Sequence, residues 1–249
     1  MNQSHNTNFG FEKVTPEEKK QRVNQVFTSV AGRYDLLNDL MSFGTHRLWK
    51  RFAVFLSPLK SDAKILDLAG GTGDMAELYR HSTGPRGQIT LCDINQEMLI
   101  AGRDKLTNKG ISSQVHYVQA DAESLPFSDC SYDFVGISFG LRNVTDKPKA
   151  LKCMFNTVKY GGSIIVLDFS KVILPLLSKL YDQYSFGVIP QLGKYFAKDK
   201  DSYQYLVESI RMHPDQESLK TMMEESGFSK VSYYNLSGGI VAIHKGYKI

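Results

Sequence analysis

At 249 residues, 42% hydrophobic and 11% aromatic, the chain is long enough to bury one sizeable core, and a single α/β domain can use all of it. A formal charge of +4, with Lys and Arg scattered instead of gathered into runs, argues against nucleic acid as a partner. The three cysteines, Cys92, Cys130 and Cys153, have no C-x-x-C spacing, which offers no zinc site and fits reduced thiols in a cytoplasmic protein.

The first residues lack an apolar signal core, and no stretch approaches the roughly 18 apolar residues of a membrane span. A soluble chain is expected, with any membrane contact peripheral and on the inner face. Residues 1 to 14 are polar and patternless and read as a flexible tail, leaving 15 to 249 as one domain. Thr15-Pro16-Glu17-Glu18 then supplies a capping residue, a first-turn proline and an early glutamate, followed by Val23, Val26, Phe27, Val30 and Tyr34 at helical spacing. A second helix from about Thr45 sets Leu48, Trp49, Phe52, Phe55 and Leu56 on one side. Together, residues 15 to 60 form a helical layer suited to cover a cleft.

From Lys64 the pattern changes. KILDLA, QITLCDI, QVHYVQA, YDFVGISF and GGSIIVLDF are short apolar runs separated by helical segments, and this alternation predicts a parallel sheet. Residues 172 to 213 read as a mostly helical insertion, and a further helix runs from near Asp215 to Gly227. VSYYNL, Ser237-Gly238-Gly239 and IVAIHKGYK close the chain as a β-hairpin. The expected fold is therefore α/β: a Rossmann-like three-layer sheet of seven strands with a C-terminal antiparallel hairpin, in the manner of S-adenosylmethionine methyltransferases, under an N-terminal helical layer.

After the first of these strands comes Asp67-Leu68-Ala69-Gly70-Gly71-Thr72-Gly73, where glycines permit a tight turn and close backbone approach to a ligand. The loop alone also satisfies the loose dinucleotide fingerprint, so its neighbours must decide. Asp93, 20 residues after Gly73, is placed to accept both ribose hydroxyls of an adenosine moiety. Asp67 can face the cationic amino group of a methionine moiety, and Asp121 can accept from an adenine amino group beside the backbone N–H of Ala122. A pyrophosphate would disfavour both carboxylates, so S-adenosyl-L-methionine is the expected cofactor. Thr72 can bond its carboxylate end, and Ser138 ends the fourth strand beneath the sulfonium position. The plainer reading of Asp67 is a loop cap and of Asp93 a helix cap.

Tyr34-Asp35-x-Leu37-Asn38-x-x-Met41-Ser42-x-x-x-His46-x-x-Trp49 resembles the N-terminal signature of the ubiquinone/menaquinone biosynthesis C-methyltransferase family. ISFGLRNV at 137 to 144, the YSF-x-V-x-P stretch from Tyr184 to Pro190, SYQYLVESIRMHPDQ at 202 to 216 and the terminal YYNLSGGIVAIHKGYK extend the match to nearly the whole chain. Tyr160, where the family usually has proline, and Asp168, where it usually has glutamate, depart from the pattern. The resemblance implies C-methylation of a polyprenylated quinol, 2-polyprenyl-6-methoxy-1,4-benzoquinol or demethylmenaquinol, with Thr72, Asp93, Asp121 with Ala122, and Ser138 as cofactor contacts.

Alkylating a ring carbon needs an electron-rich ring and hence loss of a phenolic proton. Arg142 and Asn143, just beyond the fourth strand, are the candidate catalytic pair, the guanidinium to stabilise phenolate and the amide to orient a hydroxyl or water. Arg142 as a loop-anchoring ion pair, Asn143 as a turn residue and His46 as a structural hydrogen-bonder are the competing readings. Val172, Ile173, Leu174, Leu176, Leu177, Leu180, Tyr184, Phe186, Val188, Ile189 and Leu192 make the insertion apolar enough to receive a prenyl tail, with Lys171, Lys179 and Lys194 for anionic lipid, or else pack on the sheet. Methylation of another small molecule, a non-catalytic cofactor-binding subunit and, more remotely, a nicotinamide oxidoreductase are the alternatives. A second copy of the chain and a quinone-synthesis assembly stay open as partners.

Overall fold

A computed structural model of the chain describes residues 6–33, 38–39, 42–188, 191 and 200–249. Tyr34, Asp35, Leu37, Met41, Ile189, Pro190, Leu192 and Lys194, singled out above, lie outside them.

The sheet has seven strands: β3 (Lys64–Leu68), β4 (Gln88–Asp93), β5 (Val115–Gln119), β6 (Tyr132–Ser138), β7 (Val158–Phe169), β8 (Ser229–Leu236) and β9 (Val241–Tyr247). Their order is β5-β4-β3-β6-β7-β9-β8, parallel as far as β7 and antiparallel at β9 and β8. The all-apolar runs belong in the middle. Ile65, Leu66, Ile89, Leu91, Val135, Ile137 and Ile164 to Leu167 are shielded on both faces, as central parallel strands are. At about 1.5–3 kcal/mol for each fully buried aliphatic side chain, these strands carry much of the stability.

Chain order puts a switch point beside β3. From it the chain moves outward through β4 to β5, then returns to β6 on the opposite side, so the loops leaving β3 and β6 diverge and open a crevice at their carboxyl ends. The helices α3 (Asp74–Ser82), α4 (Gln96–Asn108), α5 (Lys147–Thr157) and α8 (Gln216–Glu225) flank the sheet.

Covering the crevice are α1 (Pro16–Val30) and α2 (His46–Leu56). Thr15 Oγ1 accepts from the Glu18 amide at 3.2 Å, the cap expected from the sequence. In α2 the apolar side is turned otherwise than expected: Trp49, Ala53 and Val54 are buried, whereas Leu48 and Phe55 are 63% and 79% exposed. The helix is apolar around most of its girth, and periodicity alone does not say which part meets the sheet.

The expected tail is a second correction. Residues Thr7–Phe9 (β1) and Glu12–Val14 (β2) pair antiparallel about Gly10, whose φ is +57°. Strands of three residues are too short to show a period. Contacts far along the chain hold them: Phe9 stacks on Tyr205 at 4.1 Å between centroids, and the Phe11 amide donates to Glu208 at 3.1 Å. Glu208 and Tyr205 belong to α7 (Lys200–Arg211), which with α6 (Pro175–Gln183) and a π-helical turn at Tyr184–Val188 forms the described part of the insertion. Within it Val172 and Tyr181 are buried, while Ile173, Leu174, Phe186 and Val188 are exposed.

Candidate active site

The crevice holds two joined cavities. A larger one of about 770 Å³, open to solvent, runs from Lys20 and Phe27 of α1 past Asp93, Asp121 and Ala122 to Asn143. A smaller one of about 320 Å³ lies between Lys50, Asp67, Thr72, Asp74 and Ser138. Ala69, Gly71 and Phe139 line both.

The wall between them is made of strained backbone. Ala69 and Phe139, which follow β3 and β6, both take positive φ (51° and 56°), a conformation that non-glycine residues adopt mainly where the surroundings force it. The two turns meet back to back, and a Cβ on Gly140 would stand 2.4 Å from that of Ala69. Gly73, at φ +82°, starts α3, and a side chain there would collide with Leu106.

Seven of the eight residues expected to bind cofactor line one cavity or the other; Gly73 shapes the loop behind them. Asp93 accepts the Asn95 amide on Oδ1 and the Gly71 amide on Oδ2, each at 2.9 Å. It is buried, and burial raises its pKa against the pull of those N–H groups. Each oxygen keeps a further lone-pair direction for a hydroxyl.

Asp67 and Ser138 form the floor of the smaller cavity, and both leave a polar atom without a partner: Asp67 Oδ2 and Ser138 Oγ. Burial pushes the Asp67 carboxyl up to about 8, with nearby Lys50 and the Ala76 N–H opposing it. A buried acceptor with an unspent lone pair calls for a donor, and an ammonium group is a suitable one.

Sequence reasoning missed Lys50. Its ammonium lies 2.6 Å from Asp74 Oδ2, and Lys105 holds Asp74 Oδ1 at 2.5 Å. Burial works the other way, but the two ammoniums hold the Asp74 carboxyl well below the usual carboxylate range. The signal was present in α2: Lys50 falls in register with His46, Trp49, Ala53 and Val54, a lysine inside the buried stripe.

Asp121 lies where expected, but it already has partners. Lys20 of α1 stands 2.7 Å from its Oδ2 and 3.0 Å from Glu123, and the Glu123 amide donates to Oδ1. Asn95 Nδ2 reaches up to the Asn24 carbonyl, Asn24 Oδ1 and Thr28, so α1 is fastened across the ribose end of the cleft.

The structure separates Arg142 from Asn143. Asn143 lines the larger cavity and accepts from Tyr205 Oη at 3.0 Å, which leaves its amide nitrogen as a donor. Arg142 lines neither cavity; it pairs with Asp168 at 3.0 Å, donates to the Phe139 carbonyl and lies over the Phe169 ring. Its own amide donates to the other oxygen of Asp168. His46 bonds Asp39 at 2.9 Å, and burial lowers its pKa, which suits a structural hydrogen-bonder.

The model of the ubiE/COQ5 methyltransferase family matches residues 15–248. The chain belongs to that family. It is accordingly a methyltransferase, 58% identical to the ubiquinone/menaquinone biosynthesis C-methyltransferase UbiE of Vibrio cholerae over 97% of this chain and 93% of that one. Its identity to the UbiE of Cronobacter sakazakii is 57%, covering 97% and 96%. Among solved structures, a possible histamine N-methyltransferase from Thermotoga maritima is similar at a TM-score of 0.64 and 19% identity, over 91% of this chain and all of that one. A putative S-adenosyl-L-methionine-dependent methyltransferase from Methanococcus maripaludis reaches 0.63 at 15% identity, over 89% and 93%. At such identities the likeness concerns the fold, and it is the family's Rossmann-like one. Among the described residues no group of three or more His, Cys, Asp or Glu suits a metal, and no helix is long and apolar enough to cross a membrane.

Proposed function

We propose that the chain transfers a methyl group from S-adenosyl-L-methionine to a ring carbon of a polyprenylated benzoquinol or naphthoquinol, a reading that accords with relatives named as C-methyltransferases of ubiquinone and menaquinone biosynthesis. The observation that carries the cofactor assignment is the pair of orphaned polar atoms, Asp67 Oδ2 and Ser138 Oγ, facing Lys50 across one cavity. An amino acid's ammonium and carboxylate complement those charges, and a pyrophosphate complements only one of them.

Asp93 would accept the ribose hydroxyls, Asp67 the ammonium, and Lys50 with Thr72 would oppose the carboxylate. Asp121 and the Ala122 amide would meet the adenine edge, which requires Lys20 to give up Asp121. Bound there, S-adenosylmethionine supplies an electrophilic methyl group. The chain's own contribution is positioning and exclusion of water, through α1 above and the Ala69–Phe139 wall below. Asn143, steadied by Tyr205, would donate to an acceptor hydroxyl at the edge of the cleft, while Arg142 fixes the turn by its ion pair with Asp168. The exposed apolar residues Ile173, Leu174, Phe186 and Val188 give a prenyl tail a surface, peripheral to any membrane.

The test is transfer of isotope from labelled S-adenosylmethionine to reduced, short-tailed benzoquinol and naphthoquinol in detergent. Label at ring carbon is expected, and Asn143→Ala should reduce kcat by roughly 10²-fold at unchanged cofactor affinity. Tight cofactor binding with no transfer to either ring would overturn the acceptor assignment and favour a different small-molecule acceptor.

A further inference from the structure

Behind the Arg142–Asn143 turn lies a third cavity, of about 480 Å³, enclosed by the N-terminal hairpin, α1, the start of α5 and α7. Asn8, Lys19, Arg142, Thr145, Lys147 and Tyr205 line it. It adjoins the cofactor cleft: Thr145 borders both, and Tyr205 reaches across to Asn143.

Its charges do not balance. Lys19 is 3% exposed and Lys147 half-buried, yet both ammonium groups donate to one acceptor, the neutral carbonyl of Val144, at 3.2 Å each. Among the described residues neither forms an ion pair. The nearby carboxylates are committed elsewhere: Asp168 to Arg142, and Glu123 to Lys20 and to the amides of Thr145 and Asp146. Arg142 is 5% exposed, and its buried Nε has no partner. His213, also near Asp168, Lys147 and Arg142, is held neutral by burial, which lowers its pKa to about 4, so it adds no charge. Burial, and after it repulsion from Lys147, brings Lys19 down to about 8 against the pull of Glu123, and burial likewise lowers Lys147 against the pull of Asp168 and Glu123. Water can solvate the lysines but cannot neutralise them, and a buried positive cluster is costly until an anion joins it.

We infer that this cavity is an oxyanion site, in which Lys19, Lys147 and Arg142 together receive one negatively charged oxygen group. The group that fits is a phenolate or a small inorganic oxyanion, since hydroxyl and amide donors from Thr145 and Asn8 complete a shell for oxygen acceptors. The phenolate source rests on the quinol reading above: a ring hydroxyl that gives its proton to solvent and settles here as oxyanion would bring the ring beside Asn143, at the mouth of the cleft.

Binding of 4-nitrophenol and of inorganic phosphate to the full chain saturated with S-adenosylhomocysteine tests this. Bound as its yellow phenolate, the nitrophenol should show a depressed pKa, read from absorbance near 400 nm at pH 6, where the uncharged ether 4-nitroanisole should not bind. Lys19→Met and Lys147→Met should each weaken binding at least about tenfold while S-adenosylhomocysteine affinity stays within about twofold, which certifies the fold. Displacement of the dye by phosphate, with the same lysine dependence, identifies a free oxyanion as a ligand; dye binding that phosphate does not disturb identifies the phenolate. Failure of wild type to bind either, or equal binding by both lysine variants, overturns the proposal. Failure to bind S-adenosylhomocysteine would instead strike the methyltransferase reading and leave the anion result to stand alone.

Discussion

The loops at the strand ends are held by main-chain bonds: Gly70 N–H to the Cys92 carbonyl at 3.1 Å, Ala120 N–H to the Asp93 carbonyl at 3.0 Å and Phe139 N–H to the Leu167 carbonyl at 2.7 Å. The helices above them are attached by side chains instead, Asn95 to Asn24 and Thr28, Lys20 to Asp121, Lys50 to Asp74 and Trp49 to Ser237. The floor of the cleft is thus part of the sheet and forms with it, whereas the cover packs on it through a short apolar stripe (Val23, Val26 and Val30 of α1, Trp49, Ala53 and Val54 of α2) and is pinned at its edges by polar contacts that can exchange for others. A substitution in the floor should be felt in stability or cofactor affinity, and one in the cover chiefly in how the cleft opens.

The largest effect should come from Asp168→Ala, which strands the Arg142 guanidinium in the protein interior. A loss of about 3–5 kcal/mol is expected in urea unfolding, with transfer activity falling alongside; a change under 1 kcal/mol would mean that the pair is not a fixture of the floor. Next, Asp93→Ala removes two acceptors at once and should weaken S-adenosylhomocysteine roughly 10²-fold by calorimetry.

Asp67 sharpens the comparison through pH. Its carboxyl is raised to about 8 in the fold, above the ordinary value of 3.8, so the native state holds a proton that the unfolded chain has lost. Its contribution to stability is therefore complete below about pH 4 and declines as pH rises toward 8. An arriving ammonium favours the ionised form, so cofactor binding should release a proton near pH 6.5, and affinity should climb up to about tenfold per pH unit below 8. Calorimetry in buffers of different ionisation enthalpy measures the release, and Asp67→Asn should abolish it. The smallest effect belongs to the cover: Lys20→Met cuts a half-exposed ion pair worth about 0–1 kcal/mol, and by freeing Asp121 should tighten nucleoside binding a few-fold at unchanged thermal stability. Weaker binding would show Lys20 to be a ligand contact and not a latch.

The same division governs what the sequence discloses. Strands such as KILDL and QITLCD announce themselves because burial on both faces demands largely apolar runs, and the acidic residues near their ends, Asp67 and Asp93, fall into the cleft with them. The cover is harder to read. The faces of α2 are alike in hydropathy, so the exposure of Leu48 and Phe55 is decided by what the sheet offers, and the Thr7–Val14 hairpin depends on α7, nearly 200 residues away. Arg142 shows a third limit: its partner Asp168 is remote in the chain and becomes a neighbour only because β6 and β7 pair.

Trp49 is the only tryptophan in the chain. Its indole N–H donates to Ser237 in the β8–β9 turn, and its ring leans on Phe139 and Phe169 at 6.3 Å from each centroid. One chromophore therefore sits where cover, cleft wall and terminal hairpin meet. Its emission is a label-free record of the cover's position, so the opening of α2 can be timed in a stopped-flow instrument without any dye being introduced.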